Sequence, residues 1–485
     1  MRTTKLIKQL AGESAVYGLS GVVNHLVAVL LLPIYTRLFT RAEVGTLSLI
    51  DVTATLAMSV AVLGLDSAAA RWFYDLDDET DRRKTIASWF WCQLVMNLLL
   101  CAAMIGFSRP LAHWLTGNAQ LAPLVWLAAL SMPLIGVLRV WSAWLRFQRR
   151  VWSLAALMTV QAFLRVGLIL LCVLGLRYAL AGVYLGRLGS LALLAPVGVI
   201  VLWPWLRPKH FDLRRLKQML RFGLPLAPAA LGVWVMTSSD RIILRLFYDQ
   251  AEVGLYDMAA KLSMVVALGV MAFQQAWGPF AYSLLGEKGA ERVYAKVLDV
   301  YSLVACSLAT AVALFGPLLF RIMTTEPFYP AVSCLPTLAF VHAFAGARSI
   351  AGLGSGIAKR SVPIAAAFVF GAVINVGLNF ALIPIWGRNG AAAATLAAYG
   401  VTTAYLFIVS RLHHPIPYRP AVMIGSLATS VVLILAANAW VAELSLVGLA
   451  TRAAMLLAFV PLGYWLGGIR WEHLMPENSK SDSTD

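Results

Sequence analysis

Apolar residues along this chain come in long, unbroken runs, and polar residues gather in short clusters of charge, Pro or Gly between them. A helix needs about 20 residues to cross a hydrocarbon core of about 30 Å. The runs predict fourteen spanning helices, at about 14–36, 44–69, 85–107, 120–145, 152–175, 179–203, 222–245, 253–279, 294–320, 329–357, 362–385, 389–411, 420–441 and 445–467. Barrel strands are excluded, since each would be about ten residues of alternating polarity and these runs are apolar all round. The first run is expected to remain as a helix rather than be cleaved, because no small-residue cleavage site follows it and its hydrophobicity continues to Pro33. The expected class is an all-α polytopic membrane protein.

Composition agrees with this reading. Of 485 residues 60% are hydrophobic and 13% charged, where a soluble chain has about a quarter charged. Mean hydropathy is +0.78. The net charge of +16 suggests nucleic acid only until the basic residues are placed. With the N-terminus inside, cytoplasmic segments hold 24 of the 39 Lys and Arg, and the opposite loops hold seven: Arg37, Arg41, Arg109, Arg177, Arg245, Arg321 and Arg388. Positive charge stays on the cytoplasmic side, so both termini are expected inside. No basic stripe with interleaved aromatics lies outside the runs, and no nucleic-acid partner is expected. The five cysteines fall in or beside spans, are odd in number and include no C-x-x-C pair, so neither disulfides nor a metal site is expected.

One short pattern occurs twice. Arg37-Leu38-Phe39 followed by Ala42-Glu43-Val44-Gly45 returns as Arg245-Leu246-Phe247 and Ala251-Glu252-Val253-Gly254, close to 209 residues later. A weaker match links Gly182 at the start of the sixth span to Gly390 at the start of the twelfth. A shared offset implies duplication of six helices. Both copies start on one side, so the repeats are parallel, and such bundles leave between them a cavity that can open to either side.

Eight basic residues remain at or within spans: Arg71, Arg139, Arg165, Arg187, Arg241, Lys261, Arg348 and Arg452. Each costs about 2.5–3.5 kcal/mol at mid-span, so several of them exposed to lipid would cost on the order of 10–20 kcal/mol. Few acids share this depth: Asp51, Asp66, Asp240 and Asp257. The surplus predicts a water-filled cationic cavity for an anion, with arginine forks suited to phosphate oxygens. The structural alternative is that Arg71, Arg187 and Arg452 snorkel from span ends while Asp240–Arg241 and Asp66–Arg71 pair. His25, beside Asn24 in the first span, could line a pathway or be a hydrogen-bonded core residue.

Several stretches resemble a known family: PIYTRLFTRAEVGTLSL from Pro33, GLDSAAARWFY from Gly64, RFGLPLAP from Arg221, SSDRIILRLF from Ser238, EVGLYDMAAKL from Glu252 and QQAWGPFAY from Gln274. Together they resemble the Wzx-type lipid-linked oligosaccharide flippases, in the polysaccharide transporter family of the multidrug/oligosaccharidyl-lipid/polysaccharide (MOP) exporter superfamily. The resemblance implies two six-helix bundles in a MATE-like pseudo-twofold repeat plus two C-terminal helices. It also implies a cationic cavity that moves an undecaprenyl-diphosphate-linked saccharide from inner to outer leaflet. By motif position Arg71, Asp240, Arg241 and Lys261 match charges of the family. Arg139, Arg165 and Arg348 are added from burial alone, and Asp66, Asp257 and His25 as charge-pairing or coupling groups.

The expected divisions are an N-terminal bundle at 1–206, a basic cytoplasmic linker at 207–221, a second bundle at 222–412, two further helices at 413–471 and a disordered tail at 472–485. The expected setting is a bacterial cytoplasmic membrane. Expected partners are the polyprenyl-diphosphate-linked saccharide, membrane lipids and a glycan polymerase with its chain-length machinery.

Catalytic patterns are weak. Asp75-Leu76-Asp77 resembles a D-x-D glycosyltransferase site but sits in a short charged loop and reads as a solvated charge run. Gly352-Leu353-Gly354-Ser355-Gly356 has dinucleotide-loop spacing without a strand–turn–helix, so close helix packing is expected. The histidines form no H-E-x-x-H set. No enzyme and no cofactor are expected. The alternatives are a drug exporter on the same fold and an integral-membrane glycan polymerase or acyltransferase, which would offer a sizeable outer loop or paired catalytic residues.

Overall fold

The computed structural model describes residues 29, 31–440 and 445–466. The described chain is helical with no strand. The elements are α1 (Leu32–Leu38), α2 (Arg41–Val62), α3 (Leu65–Asp75), α4 (Glu79–Gly106), α5 (Ser108–Thr116), α6 (Ala122–Phe147), α7 (Val151–Leu170), α8 (Ala179–Leu206), α9 (Leu213–Gly223), α10 (Ala227–Phe247), α11 (Gln250–Ser283), α12 (Ala290–Leu314), α13 (Gly316–Met323), α14 (Leu335–Ala351), α15 (Leu353–Ile357), α16 (Val362–His413), α17 (Pro420–Trp440) and α18 (Leu446–Leu466).

Among the described residues twelve helical stretches are long and apolar enough to span a membrane. The count differs from fourteen in two places. The expected first span lies mostly outside the described residues, as does His25. The eleventh and twelfth spans run together as α16, a 52-residue helix broken only at Gly387, where φ 54° and ψ −131° reverse the chain without a loop. Only glycine occupies that conformation without strain.

The duplication is visible element by element. α2, α4, α5, α6, α7 and α8 start within a few residues of 209 positions before α11, α12, α13, α14 and the two arms of α16. Even the short α5 and α13 correspond. Within each half the main packing is α6 on α4 and α8, α7 on α8, α14 on α11 and α12, and α10 on α16. α17 and α18 pack on each other and on α12. The halves meet chiefly where α2 lies against α10 and α11.

The basic linker folds as α9, whose N-cap Asp212 accepts from the backbone N–H of Arg214 and Arg215. Its buried Leu216 and Met219 join the apolar core of the first half. Gly223 at its end is pressed on Gly64, where a Cβ on Gly64 would meet the Gly223 carbonyl oxygen at 2.2 Å.

Candidate functional site

The repeated motif stands where the two copies touch. A Cβ on Gly45 would lie 1.8 Å from the carbonyl oxygen of Gln250, and one on Gly254 would lie 2.0 Å from that of Arg41. Arg41 and Gln250 are themselves equivalent positions, so the contact is reciprocal and the pseudo-twofold axis passes between the two glycines. Both helix starts are capped. Thr40 and Glu43 form a reciprocal capping box, and Asp249 accepts from the Glu252 backbone N–H at 3.0 Å. Glu252 has a further partner: its carboxylate takes two bonds from Arg388 Nη1, each 2.8 Å.

This crossing closes the end of the bundles that carries few basic residues. Further bonds cross between halves there: Arg245 Nε donates to the Leu115 carbonyl at 2.8 Å, the Gln250 amide donates to the Thr116 carbonyl, and Thr325 donates to the Thr36 carbonyl at 2.8 Å.

One helical turn below the glycines lie Ser48 and Asp257, again equivalent, with Ser48 beside the carboxylate. From Asp257 the second half builds a buried charge cluster. Arg241 Nε donates to Asp257 at 3.2 Å, and its Nη1 donates to Asp240 at 3.1 Å and to the Thr237 carbonyl at 3.0 Å. Tyr256 donates its hydroxyl to Asp240, and Lys261 Nζ stands 2.6 Å from Asp257. Lys261 also lies 5.8 Å from the ring centre of Tyr35, which belongs to the first half. On that side Arg187 grips Asp51 at 2.7 and 2.8 Å and overlies Tyr184. Arg165 lies within electrostatic range of Arg187 and Tyr35.

The other expected residues fall elsewhere. Arg139 pairs with Asp66 at 3.0 Å, each a little over a third exposed. Arg71 lies apart from the cluster, more than half exposed, paired with Asp75 at 3.4 Å and over the Phe222 ring. The suggested pair of Asp66 with Arg71 is therefore not formed, because five residues along α3 turn them about 140° apart around the helix, toward different neighbours. Arg452 does not snorkel: it is buried and donates to the Leu314 carbonyl, tying α18 to the end of α12. Arg348 stands between the rings of Phe368 and Tyr399, at 4.5 and 4.8 Å from their centres. Of the six basic site candidates, Arg71, Arg139, Arg241 and Lys261 have carboxylate partners; among the described residues Arg165 and Arg348 have none within 4.0 Å.

Tyr35 and Tyr256, which join these charges, were not singled out by the sequence. Neither was a buried uncharged network in the second half: Ser239 donates to Asn375 at 3.3 Å, Asn379 donates to Asn375 at 3.1 Å, and Asn375 donates to Thr395 at 3.2 Å. Its signal was available, because two asparagines four apart in an apolar run share a helix face.

The Gly352–Gly356 segment packs closely as expected, with a Cβ on Gly354 falling 2.7 Å from the Ser410 carbonyl oxygen. All five cysteines are free. An apolar groove of about 450 Å³ lies between α11 and α12, lined by Val270, Phe273, Val297, Tyr301 and Val304; none of the clustered charges reaches it.

Comparison with known proteins gives the same architecture. The fold matches the lipid II flippase MurJ in an inward closed conformation with TM-score 0.74, at 13% identity, covering 93% of this chain and 98% of that one. It matches a multidrug resistance MATE family transporter of the MOP superfamily, inward-facing, with TM-score 0.61 at 16% identity, covering 83% and 93%. In sequence the chain is 24% identical over 287 residues to protein 1 of the Lsg locus of Haemophilus influenzae, over 57% of this chain and 67% of that protein. The family model described as "Polysaccharide biosynthesis protein" matches residues 10–283. On that match, more than half its length, the chain belongs to the polysaccharide biosynthesis protein family and carries the fold of the MOP-superfamily transporters.

Proposed function

We propose that this protein is a flippase that carries a polyprenyl-diphosphate-linked oligosaccharide from the inner to the outer leaflet of the bacterial cytoplasmic membrane, by alternating opening of its two halves. The observation that carries this reading is the charge cluster where the two copies cross. Arg165, Arg187, Arg241 and Lys261 stand there with Asp51, Asp240 and Asp257, one basic group in excess, and Arg348, farther off, has no carboxylate partner among the described residues, which gives two positive charges for a diphosphate. Such charges within spans mark a substrate or ion path. Closure at the end poor in basic residues, which the charge bias assigns to the outside, fits a state that receives its substrate from the cytoplasm.

The saccharide and diphosphate would occupy the space between the halves while the polyprenyl tail stays in lipid. A potential negative inside favours outward movement by about 2.3 kcal/mol per charge per 100 mV, so roughly 4–5 kcal/mol for a dianion. Under this reading chemistry on the glycan belongs to separate partners, such as a polymerase acting after the flip.

The test is mass spectrometry and leaflet assignment of polyprenyl-linked saccharides in cells lacking the protein, rescued with wild type or Arg241→Ala. Complete units should accumulate on the cytoplasmic leaflet and be relieved by wild type alone. Units flipped normally but left unpolymerised would point to an enzyme, and unchanged lipids to a different exported substrate.

A further inference from the structure

The duplication allows each charge to be compared with its own copy. Arg139 on α6 and Arg348 on α14 are 209 residues apart, the offset that relates Gly45 to Gly254. By that offset they answer to one another in the two halves, yet their surroundings differ. Arg139 is neutralised by Asp66 at 3.0 Å. The positions that answer to Asp66 in the second copy are Gln274 and Gln275. Gln274 is turned to α14, where it donates to the Ala345 carbonyl at 3.1 Å and to Ser349 at 2.7 Å. Where the first half has a carboxylate beside its arginine, the second has amides, one of which contacts the arginine's own helix.

What holds Arg348 leaves one of its donors, Nη1, unused. Ring faces on Phe368 and Tyr399 fix a guanidinium by cation–π attraction. Its Nη1 is buried with no hydrogen-bond acceptor among the described residues. An unsatisfied buried donor is costly, and more so when charged. A positive group whose position is fixed and which keeps an unused buried donor is suited to phosphate oxygens, to which arginine gives charge-assisted hydrogen bonds.

Resting on the flippase reading, we infer that Arg348 is the group that binds a phosphate of the substrate diphosphate, and that its copy Arg139 serves as a structural clamp held by Asp66. The two halves thereby divide the roles of one duplicated residue. The neighbouring pair Gln274 and Ser349, whose hydrogen bond is exposed, marks the side from which the phosphate reaches Arg348.

The test is binding to the full-length protein in neutral-lipid nanodiscs, read by native mass spectrometry and calorimetry with two probes, undecaprenyl diphosphate and inorganic pyrophosphate. Arg348→Ala should weaken undecaprenyl diphosphate about tenfold or more, the loss of a charge-assisted bond, and Arg348→Lys should recover part of it. Arg139→Ala should change affinity less than about threefold while lowering thermal stability, since it removes a clamp and not a ligand. Pyrophosphate competing for the same site would place the recognition in the diphosphate; undecaprenyl diphosphate binding that pyrophosphate cannot displace, and that survives Arg348→Ala, would overturn the assignment. A folded Arg348→Ala protein binding as wild type, with Arg139→Ala weakened instead, would also overturn it and leave the flippase reading intact. Failure of the wild type to bind undecaprenyl diphosphate at all would remove the flippase reading itself.

Discussion

The two halves are most alike at Gly45 and Gly254 and begin to differ one turn away, at Ser48 and Asp257. At the glycines, backbone meets backbone across the axis, and any side chain would overlap a carbonyl oxygen that cannot swing aside. Both copies therefore keep Ala-Glu-Val-Gly. At the next turn there is room for side chains, and one copy carries a hydroxyl where the other carries the carboxylate that anchors Arg241 and Lys261. Asp66 against Gln274, beside the shared arginines, repeats the lesson. Duplication persists where geometry forbids change, and the chemistry sits where the copies part.

The largest effect expected on this comparison comes from Gly254→Leu. Overpacking costs about 1–3 kcal/mol where neighbours yield and more where they are backbone, so the end poor in basic residues should fail to close. In a background without native cysteines, Ser48→Cys should resist an impermeant thiol reagent and become labelled once Gly254→Leu is added. Continued protection in a folded double variant would mean that the glycine contact does not seal that end.

Next is the pair below it. Asp257→Ala takes from Lys261 its carboxylate partner and from Arg241 one of its two, and should cost about 3–5 kcal/mol, as breaking one side of a buried ion pair does. Ser48→Ala should cost no more than about 1.5 kcal/mol. Unfolding of both variants in one detergent compares them, and equal losses would remove the asymmetry. A smaller contrast separates Glu252→Gln, which weakens the two bonds from Arg388 for about 1.5–3 kcal/mol, from Glu43→Gln, which weakens only an exposed capping box for about 0.5–1 kcal/mol. Arg71→Ala should have the least effect, with stability within about 1 kcal/mol, as for an exposed pair. The leaflet assay should show transport unchanged; a clear loss there would put Arg71 on the path.

Much of the helix plan could be read from the chain alone. Apolar runs have few other fates in a membrane, and the expected boundaries fall within several residues of α2 through α18. The turn between the eleventh and twelfth spans was placed at 386–388 in sequence, but its collapse onto Gly387 alone was not foreseen, because run length does not reveal how tight a turn is. For the candidate site the sequence supplied the charged residues by depth. It could not supply partners: Asp66 was paired on paper with Arg71, five residues along, yet meets Arg139 on another helix.

By itself, then, the sequence determined that this chain is a duplicated helical membrane protein with a surplus of positive charge inside it, because hydrophobic length, a repeated motif and the cost of buried charge are one-dimensional facts. Only the tertiary structure decided that the repeated glycines close one end, that four of the six basic candidates are paired with carboxylates, and that Arg348 stands free of any carboxylate between two rings. Those depend on distances between helices far apart in the chain, and a charge takes its role from what it faces.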